Sequence, residues 1–296
     1  MAIPTIAGSS IAARQTFSTL SRWRGSSSRE GGILISIRRT LGLIPNARLR
    51  ANYAWVMPGL YKDEGIVLKT TKLGEADRIV TLLTRDNGKV QAVAKGVRKT
   101  KSRFGGRLEP LSHVNLMIYR GRNLDTITSV EIRESFDVVR TDYARLLAAA
   151  ALVEVVEKIT PDRERLIPVY SLLVTGLQAI AQEKGASVVP AFILKLLSLS
   201  GYHPQLTVCA GCGGSEPFGG FSPSLGGAVC EECWRQDRGA MRMAPDRLAL
   251  LGRLLDSDFG ETVERSALQE ITQVLRSYTE YHLERPLRSV HLFAAS

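Results

Sequence analysis

Read from Tyr61 onward, the chain carries short apolar runs separated by turn residues, and near residue 140 it changes to stripes of helical period. Gly65-Ile66-Val67-Leu68 is followed by Arg78-Ile79-Val80-Thr81-Leu82-Leu83-Thr84. Next come the tight-turn signal Asp86-Asn87-Gly88 and the alternating Lys89-Val90-Gln91-Ala92-Val93-Ala94. Val114-Asn115-Leu116-Met117-Ile118-Tyr119 and Thr126-Ile127-Thr128-Ser129-Val130 flank a second turn at Gly121-Arg122-Asn123. Five strands with no helical pattern between them predict a small closed or nearly closed barrel. The strand count is that of an OB-fold, and an SH3-like barrel reads almost the same.

The second pattern predicts helices. Thr141 or Asp142 can cap one whose apolar residues Leu146, Leu147, Ala150, Val153 and Val156 follow helical spacing, with Glu154 and Lys158 as an i,i+4 pair and Thr160-Pro161 as the stop. Pro168 opens a second helix to about Glu183, closed by Gly185. Pro190 opens a third, apolar nearly all round and therefore the buried centre of the bundle, which Gly201 stops. Asp246 can cap a short helix to Leu255. A longer one follows, with Val263, Leu268, Ile271, Val274, Leu275 and Tyr278 on one face, and ends before Pro286. These stripes read as core, and a partner-binding groove among them would carry the same pattern. The expected fold class is α+β: an OB-fold barrel over 57–139, then an all-α domain over 140–296 with a cysteine module at 205–236.

Charge divides along the same lines. The chain of 296 residues carries +10. Residues 1–56 hold eight arginines, no lysine and one acid, a net +7. Residues 57–140 hold sixteen basic and ten acidic residues, a net +6, and residues 141–296 hold fifteen and eighteen, a net −3. A basic front half on a mildly acidic back half points to a polyanion-binding module. The first 56 residues are rich in Ser and Arg and lack the apolar core of a secretory signal. They read as an organellar transit peptide or as sequence upstream of a working start at Met57, with a DNA-binding basic tail as the third reading. The regular pattern that begins directly after Met57 favours the second. They are treated as a disordered or non-native extension and set aside from the fold.

Within the barrel, the segment Lys95 to Arg107 places six positive charges in thirteen residues with no acid. Lys95, Arg98, Lys99, Lys101, Arg103 and Arg107 can neutralise phosphates without reading sequence, and Phe104 could stack on a base. Tyr119 is the other aromatic available. The glycines of the segment permit close approach to a ligand. A solvated cluster that only keeps the protein soluble is the alternative, and the concentration of unmixed charge favours binding.

Cys209, Cys212, Cys230 and Cys233 form C-x2-C-x17-C-x2-C. Two residues between thiolates let both reach one ion from a tight turn, and two such knuckles complete a saturated S4 shell with no position left for substrate. One structural Zn2+ is the expected cofactor. A redox C-x-x-C would need a thioredoxin-like setting, which the pattern lacks. His203 nearby reads as a neutral packing residue.

The longest uncharged apolar run, Leu146 to Val153, has eight residues, short of the roughly 18 a membrane span needs. The chain has no phosphate-binding G-x-x-x-x-G-K-[ST], dinucleotide fingerprint, G-x-S-x-G, H-E-x-x-H or zinc-deaminase signature. The four histidines are scattered. No catalytic residue is assigned, and the chain is read as a non-enzyme. An RNA-binding or ribosome-associated zinc-containing factor and a zinc-dependent enzyme stand as the rival classes.

Several short segments carry a resemblance. Gly65-Ile66-Val67-Leu68-Lys69, Leu73-Gly74-Glu75-Ala76-Asp77-Arg78-Ile79, Ala94-Lys95-Gly96-Val97-Arg98-Lys99, Leu108-Glu109-Pro110 and the paired cysteines within a helical domain resemble the RecO family of bacterial recombination mediators over about 60–290. The resemblance implies an N-terminal OB-fold and a helical C-terminal domain with a zinc module. It also implies binding of single- and double-stranded DNA, annealing of complementary strands without ATP, and action with RecR to help RecA displace single-strand-binding protein (SSB). It puts the six basic-loop residues on the DNA-contacting face and an SSB C-terminal tail on the helical domain. The implied location is the bacterial cytoplasm, at the nucleoid.

Overall fold

A computed structural model describes residues 59–215 and 217–295. The expectations for residues 1–56 lie outside the described residues. Five strands, β1 (Leu60–Leu73), β2 (Asp77–Thr84), β3 (Gly88–Ala94), β4 (His113–Tyr119) and β5 (Asp125–Glu134), close a barrel in the order β1-β2-β3-β5-β4. A parallel contact of β3 with β5 closes it, at Ala92 to Asp125 and Val93 to Thr126, and this OB-like arrangement settles the choice against an SH3-like barrel. The turn at Asp86-Asn87-Gly88 forms where its sequence requires it. The Asp63 carboxylate accepts from the Asp86 and Asn87 amides, and Gly88 takes φ +68. A Cβ on Gly88 would lie 1.9 Å from the Glu164 carbonyl oxygen, so the residue also lets a loop of the helical domain approach the hairpin.

β1 explains why Gly65 to Leu68 fails to alternate. The register shifts between Val67 and Lys69, a bulge that re-aims the strand. Val67 enters the barrel core while Ile66 and Leu68 join the core of the helices, so both faces are covered there.

The helical domain begins with α1 (Asp137–Thr141) and continues through α2 (Tyr143–Ile159), α3 (Ile167–Ala181) and α4 (Val188–Leu199). Asp142 caps α2 by accepting from the Arg145 amide at 2.9 Å, as its position predicts. α4 starts two residues before Pro190, and nine of its twelve residues are buried. Gly176 on α3 faces Leu152 and Phe192, where a Cβ would meet side-chain carbons at 2.8 and 2.9 Å, so the three central helices meet at close range.

Beyond them lies a three-stranded ribbon, β6 (Phe218–Ser222), β7 (Gly227–Cys230) and β8 (Met241–Arg242), interrupted by α5 (Glu231–Gln236). α6 (Pro245–Asp256), α7 (Arg265–Leu283) and α8 (Arg288–Ala295) complete the domain. Two sequence expectations are corrected here. Asp246 lies inside the first turn of α6, whose N-cap is Ala244 with no side-chain bond, and Val263 precedes α7. The sequence pattern does not predict α8. The Glu154 carboxylate on α2 accepts from the Arg288 and Ser289 amides at 3.0 and 2.6 Å, a cap supplied from across the fold. Lys158 pairs with Glu154 at 2.9 Å and also reaches the Pro286 carbonyl.

Barrel and helices also meet at a buried polar seam. Glu64 of β1 accepts from the Tyr170 hydroxyl at 2.8 Å, lies 2.7 Å from His113 Nε2 and pairs with Arg133 at 2.6 Å. Burial pushes the His113 pKa down, against the pull of Glu64. Burial also acts to raise Glu64, but Tyr170 and His113 outweigh it and the carboxyl falls below its ordinary value. A histidine held neutral destabilises the fold as pH drops below its unfolded pKa of about 6.5. A depressed carboxyl loses its contribution as pH falls from its unfolded value of about 4.3 through the lower folded one. Both signs agree. The melting temperature is expected to fall on acidification from pH 7, and His113→Gln, which keeps a donor for Glu64, should flatten the first part of that fall. An unchanged pH profile in the variant would rule the seam out as its source.

Candidate nucleic-acid interface and metal centre

The basic loop between β3 and β4 is stitched to the barrel at its start. Asp77 accepts from the Gly96 amide at 2.7 Å, Ala76 from the Arg98 amide at 3.0 Å, and Gly74 from the Arg98 guanidinium at 3.1 Å. Two short turns follow, with Gly96 accepting from the Lys99 amide and Lys99 from the Ser102 amide. Val97 packs against the barrel core, and a 3-10 turn over Gly105–Leu108 buries Leu108. Apolar side chains and the Arg98 bond to Gly74 thus hold the loop, and the charged side chains are exposed. Lys95, Arg98, Lys99, Lys101, Arg103 and Arg107 are all exposed, and none pairs with a described carboxylate. An unneutralised cluster on a fixed backbone suits repeated phosphates.

Phe104 is a correction. Its ring is 1% exposed and belongs to the barrel core, with the Arg103 guanidinium 4.8 Å from its centroid. It anchors the loop and has no face free to stack on a base. Val97 and Leu108 turn into the same core on either side of it.

Sequence reasoning gave no role to the residues that hold the loop in place. Asp77 ties its start, and Arg78 pairs with Glu109 at 2.8 Å beyond its end. Arg140 of α1 then donates to the Pro110 carbonyl and to Ser112, at 2.8 Å each.

The four cysteines come together at the ribbon, with their sulfur atoms all within 4.8 Å of one another. Cys209 to Gly214 forms the first knuckle, where the Cys209 carbonyl accepts from the Gly213 amide and the Gly214 carbonyl from the Cys209 amide, both at 2.8 Å. Gly213 takes φ +76 there. A Cβ on Gly211 would lie 2.9 Å from Cys233 Sγ, so glycine lets the knuckles close on each other. Cys230 ends β7 and Cys233 lies in the first turn of α5.

These sulfurs fit a metal ion. A tetrahedral shell with metal–sulfur bonds of about 2.3 Å has edges of about 3.8 Å. Cys212 and Cys230 are 3.8 Å apart. Burial opposes ionisation of Cys209, but the amides of Cys212, Cys230 and Gly211 prevail and lower its thiol, whereas sulfur neighbours push the Cys212 and Cys233 thiols up. Without an ion the cluster therefore carries its negative charge on Cys209 first. Although Cys230-x-x-Cys233 does open a helix, it follows an antiparallel hairpin rather than the βαβ unit of a redox motif. His203 lies outside the cluster, 3.0 Å from the Ser198 hydroxyl. The ribbon is wider than 205–236, since β8 adds a third strand.

The helical domain carries a groove of about 700 Å³ among α3, α4 and α6. Its apolar surface includes Leu172, Leu199, Leu255 and Phe259, with Lys184, Lys195 and a single acid, Asp258, along it. Lys195 Nζ stands 5.9 Å from the Phe259 ring centroid. No described helix is long and apolar enough to cross a membrane.

Comparison with known proteins gives two family matches. Residues 57–136 match the model described as Recombination protein O N terminal, and residues 140–291 match Recombination protein O C terminal. The DNA repair protein RecO of Nocardioides sp. strain JS614 is 44% identical over 240 residues, covering 78% of this chain and 98% of that protein. Those of Thermobifida fusca and Streptomyces coelicolor are 41% identical over 242 residues and 42% over 243. They cover 79% and 78% of this chain, and 98% and 97% of their own lengths.

Proposed function

Because the chain belongs to the RecO family of DNA repair proteins, we propose that it is a recombination mediator that binds single- and double-stranded DNA through the barrel and anneals complementary strands without ATP. The observation that carries the reading is the exposed, unpaired set of six charges on a loop whose backbone is fixed to the barrel. Two phosphate backbones brought to one polycation repel each other less and release counterions, which leaves bases free to search for partners. No covalent step is needed, and none of the chain's residues is given a catalytic role.

The same reading includes RecR as a partner and the loading of RecA, indirectly, onto SSB-coated single strands in the bacterial cytoplasm, at the nucleoid. An acidic C-terminal tail of SSB suits the α3–α4–α6 groove, with Lys184 and Lys195 for its carboxylates and the apolar surface for its side chains. One Zn2+ held by Cys209, Cys212, Cys230 and Cys233 supplies structure and no chemistry. DNA repair, and not translation, is named in the matched relatives, so the RNA-binding alternative is not taken further.

The test is strand annealing. The protein is mixed, without ATP, with complementary DNA strands coated in the cognate SSB. Annealing should accelerate, and the gain should disappear as salt rises. Tight binding with no acceleration would overturn the mediator reading.

A further inference from the structure

We propose that a single strand held by the basic loop continues across the outer wall of the barrel over β5, β4 and β1, laying its bases on Tyr119 and Met117. This rests on the DNA-binding reading above and assigns the strand a path. Arg103 and Arg107 form one bank of a shallow groove of about 460 Å³, whose other bank is Thr128 to Ile132 on β5. A second concavity of about 400 Å³, over Lys62, Asn115 and Met117, shares Ser129 and Glu131 with the first. The two concavities meet at Ser129 and Glu131, and together they lead from the loop towards β1.

Strand register orders the groove. Lys62 pairs with Met117 and Met117 with Ser129, so the three lie in one row across β1, β4 and β5. With strands about 4.8 Å apart, the row spans about 10 Å. Along β4 the outward positions are Asn115, Met117 and Tyr119. The aromatics of the described barrel are Tyr61, Phe104 and Tyr119. Phe104 is buried and the Tyr61 hydroxyl is bonded to Asp125, whereas Tyr119 is 47% exposed. Tyr119 lines neither concavity but points outward two positions along β4 from Met117, about 7 Å from that row, so the stacking surface that the loop lacks stands beside the path.

Charge along the groove fixes which part of the strand goes where. Arg103 and Arg107 stand at one end and the exposed Lys62 at the other, and none of the three pairs with a described carboxylate. Glu131 lies between them. A carboxylate repels phosphates but accepts from the exocyclic amino group of a base, so phosphates belong at the ends and base edges in the middle. Asp63 also borders the groove, but its oxygens are occupied by the turn amides of Asp86 and Asn87. Stacking on Tyr119 needs an unpaired base face, which selects a single strand over a duplex.

The test measures binding of the full chain to an unpaired, labelled oligonucleotide of mixed sequence and to the matching duplex, across a salt series. Tyr119→Ala should weaken single-strand binding about tenfold at every salt, leaving the slope unchanged, because stacking is not a counterion effect. Tyr119→Phe should bind as the parent does, and Ser129→Glu should weaken binding by adding a second carboxylate to the path. Parent-like binding by both Tyr119→Ala and Ser129→Glu, while loss of the loop charges weakens it, overturns the path and leaves the DNA reading standing. Equal loss on the duplex also overturns it. Failure of the parent protein to bind DNA would overturn both.

Discussion

Cys209→Ser is expected to abolish the cooperative unfolding of the helical domain, and treating the parent protein with a chelator should do the same. The ribbon that carries the four cysteines is not an appendage. Phe218, Phe221, Ala228, Val229 and Cys209 belong to the core that the helices share, and the Phe221 ring meets Tyr278 of α7 edge-on at 5.3 Å. Metal binding in structural zinc sites contributes about 10–16 kcal/mol to folding in small modules, and a whole domain is stable by only about 5–15 kcal/mol. Losing the metal therefore removes an amount comparable to the domain's entire margin, and losing one thiolate of four removes a large part of it. The readouts are thermal unfolding by circular dichroism and metal content. An unchanged melting curve in Cys209→Ser, or in chelated protein shown to be metal-free, would contradict a structural metal.

Replacing Arg98, Lys99 and Lys101 together with Ala should lower single-strand affinity about 100-fold at roughly 0.1 M salt, since each lost phosphate contact removes about 0.7 from the salt exponent. The loss should be the same on every sequence, because phosphate contacts carry no base information. All three side chains are exposed, so stability should change by no more than about 0.5 kcal/mol per site. Arg98 also donates to the Gly74 carbonyl, and the Lys99, Lys101 double variant separates that anchoring bond from charge. It should show about two-thirds of the effect on the logarithmic scale. Loss confined to one sequence would point to base readout and contradict the electrostatic account.

The parts of this fold that sequence reveals are those set by neighbours in the chain. Strand β2 is a short apolar run, β3 alternates, and Asp86-Asn87-Gly88 joins them, so both the elements and their turn are local. The cysteine pairs are legible because a metal needs its ligands two residues apart in each knuckle, whatever the surroundings. What distant residues decide is less legible. The first half of β1, Leu60 to Glu64, is a strand because it pairs with β4 more than fifty residues later. α8 has no local cap, and its free amides are answered by Glu154 on α2. Phe104 shows the limit within the site. An aromatic among arginines looks the same in sequence whether it points outward to a base or inward to a core, and only the curvature of the barrel beneath the loop turns it in. Tyr119 is legible as an available aromatic, but its outward position beside the row of Lys62, Met117 and Ser129 depends on the β1–β4–β5 register.

The most direct measurement is the salt dependence of single-strand affinity, for the parent protein and the Arg98, Lys99, Lys101 triple variant side by side. With four to six phosphates held by the loop, log K of the parent should fall with log salt at a slope of about −3 to −4. The slope of the triple variant should shrink to about −1 to −2. A parent slope near zero, or an equal slope in the two proteins, would contradict the claim that this loop grips DNA by its phosphates.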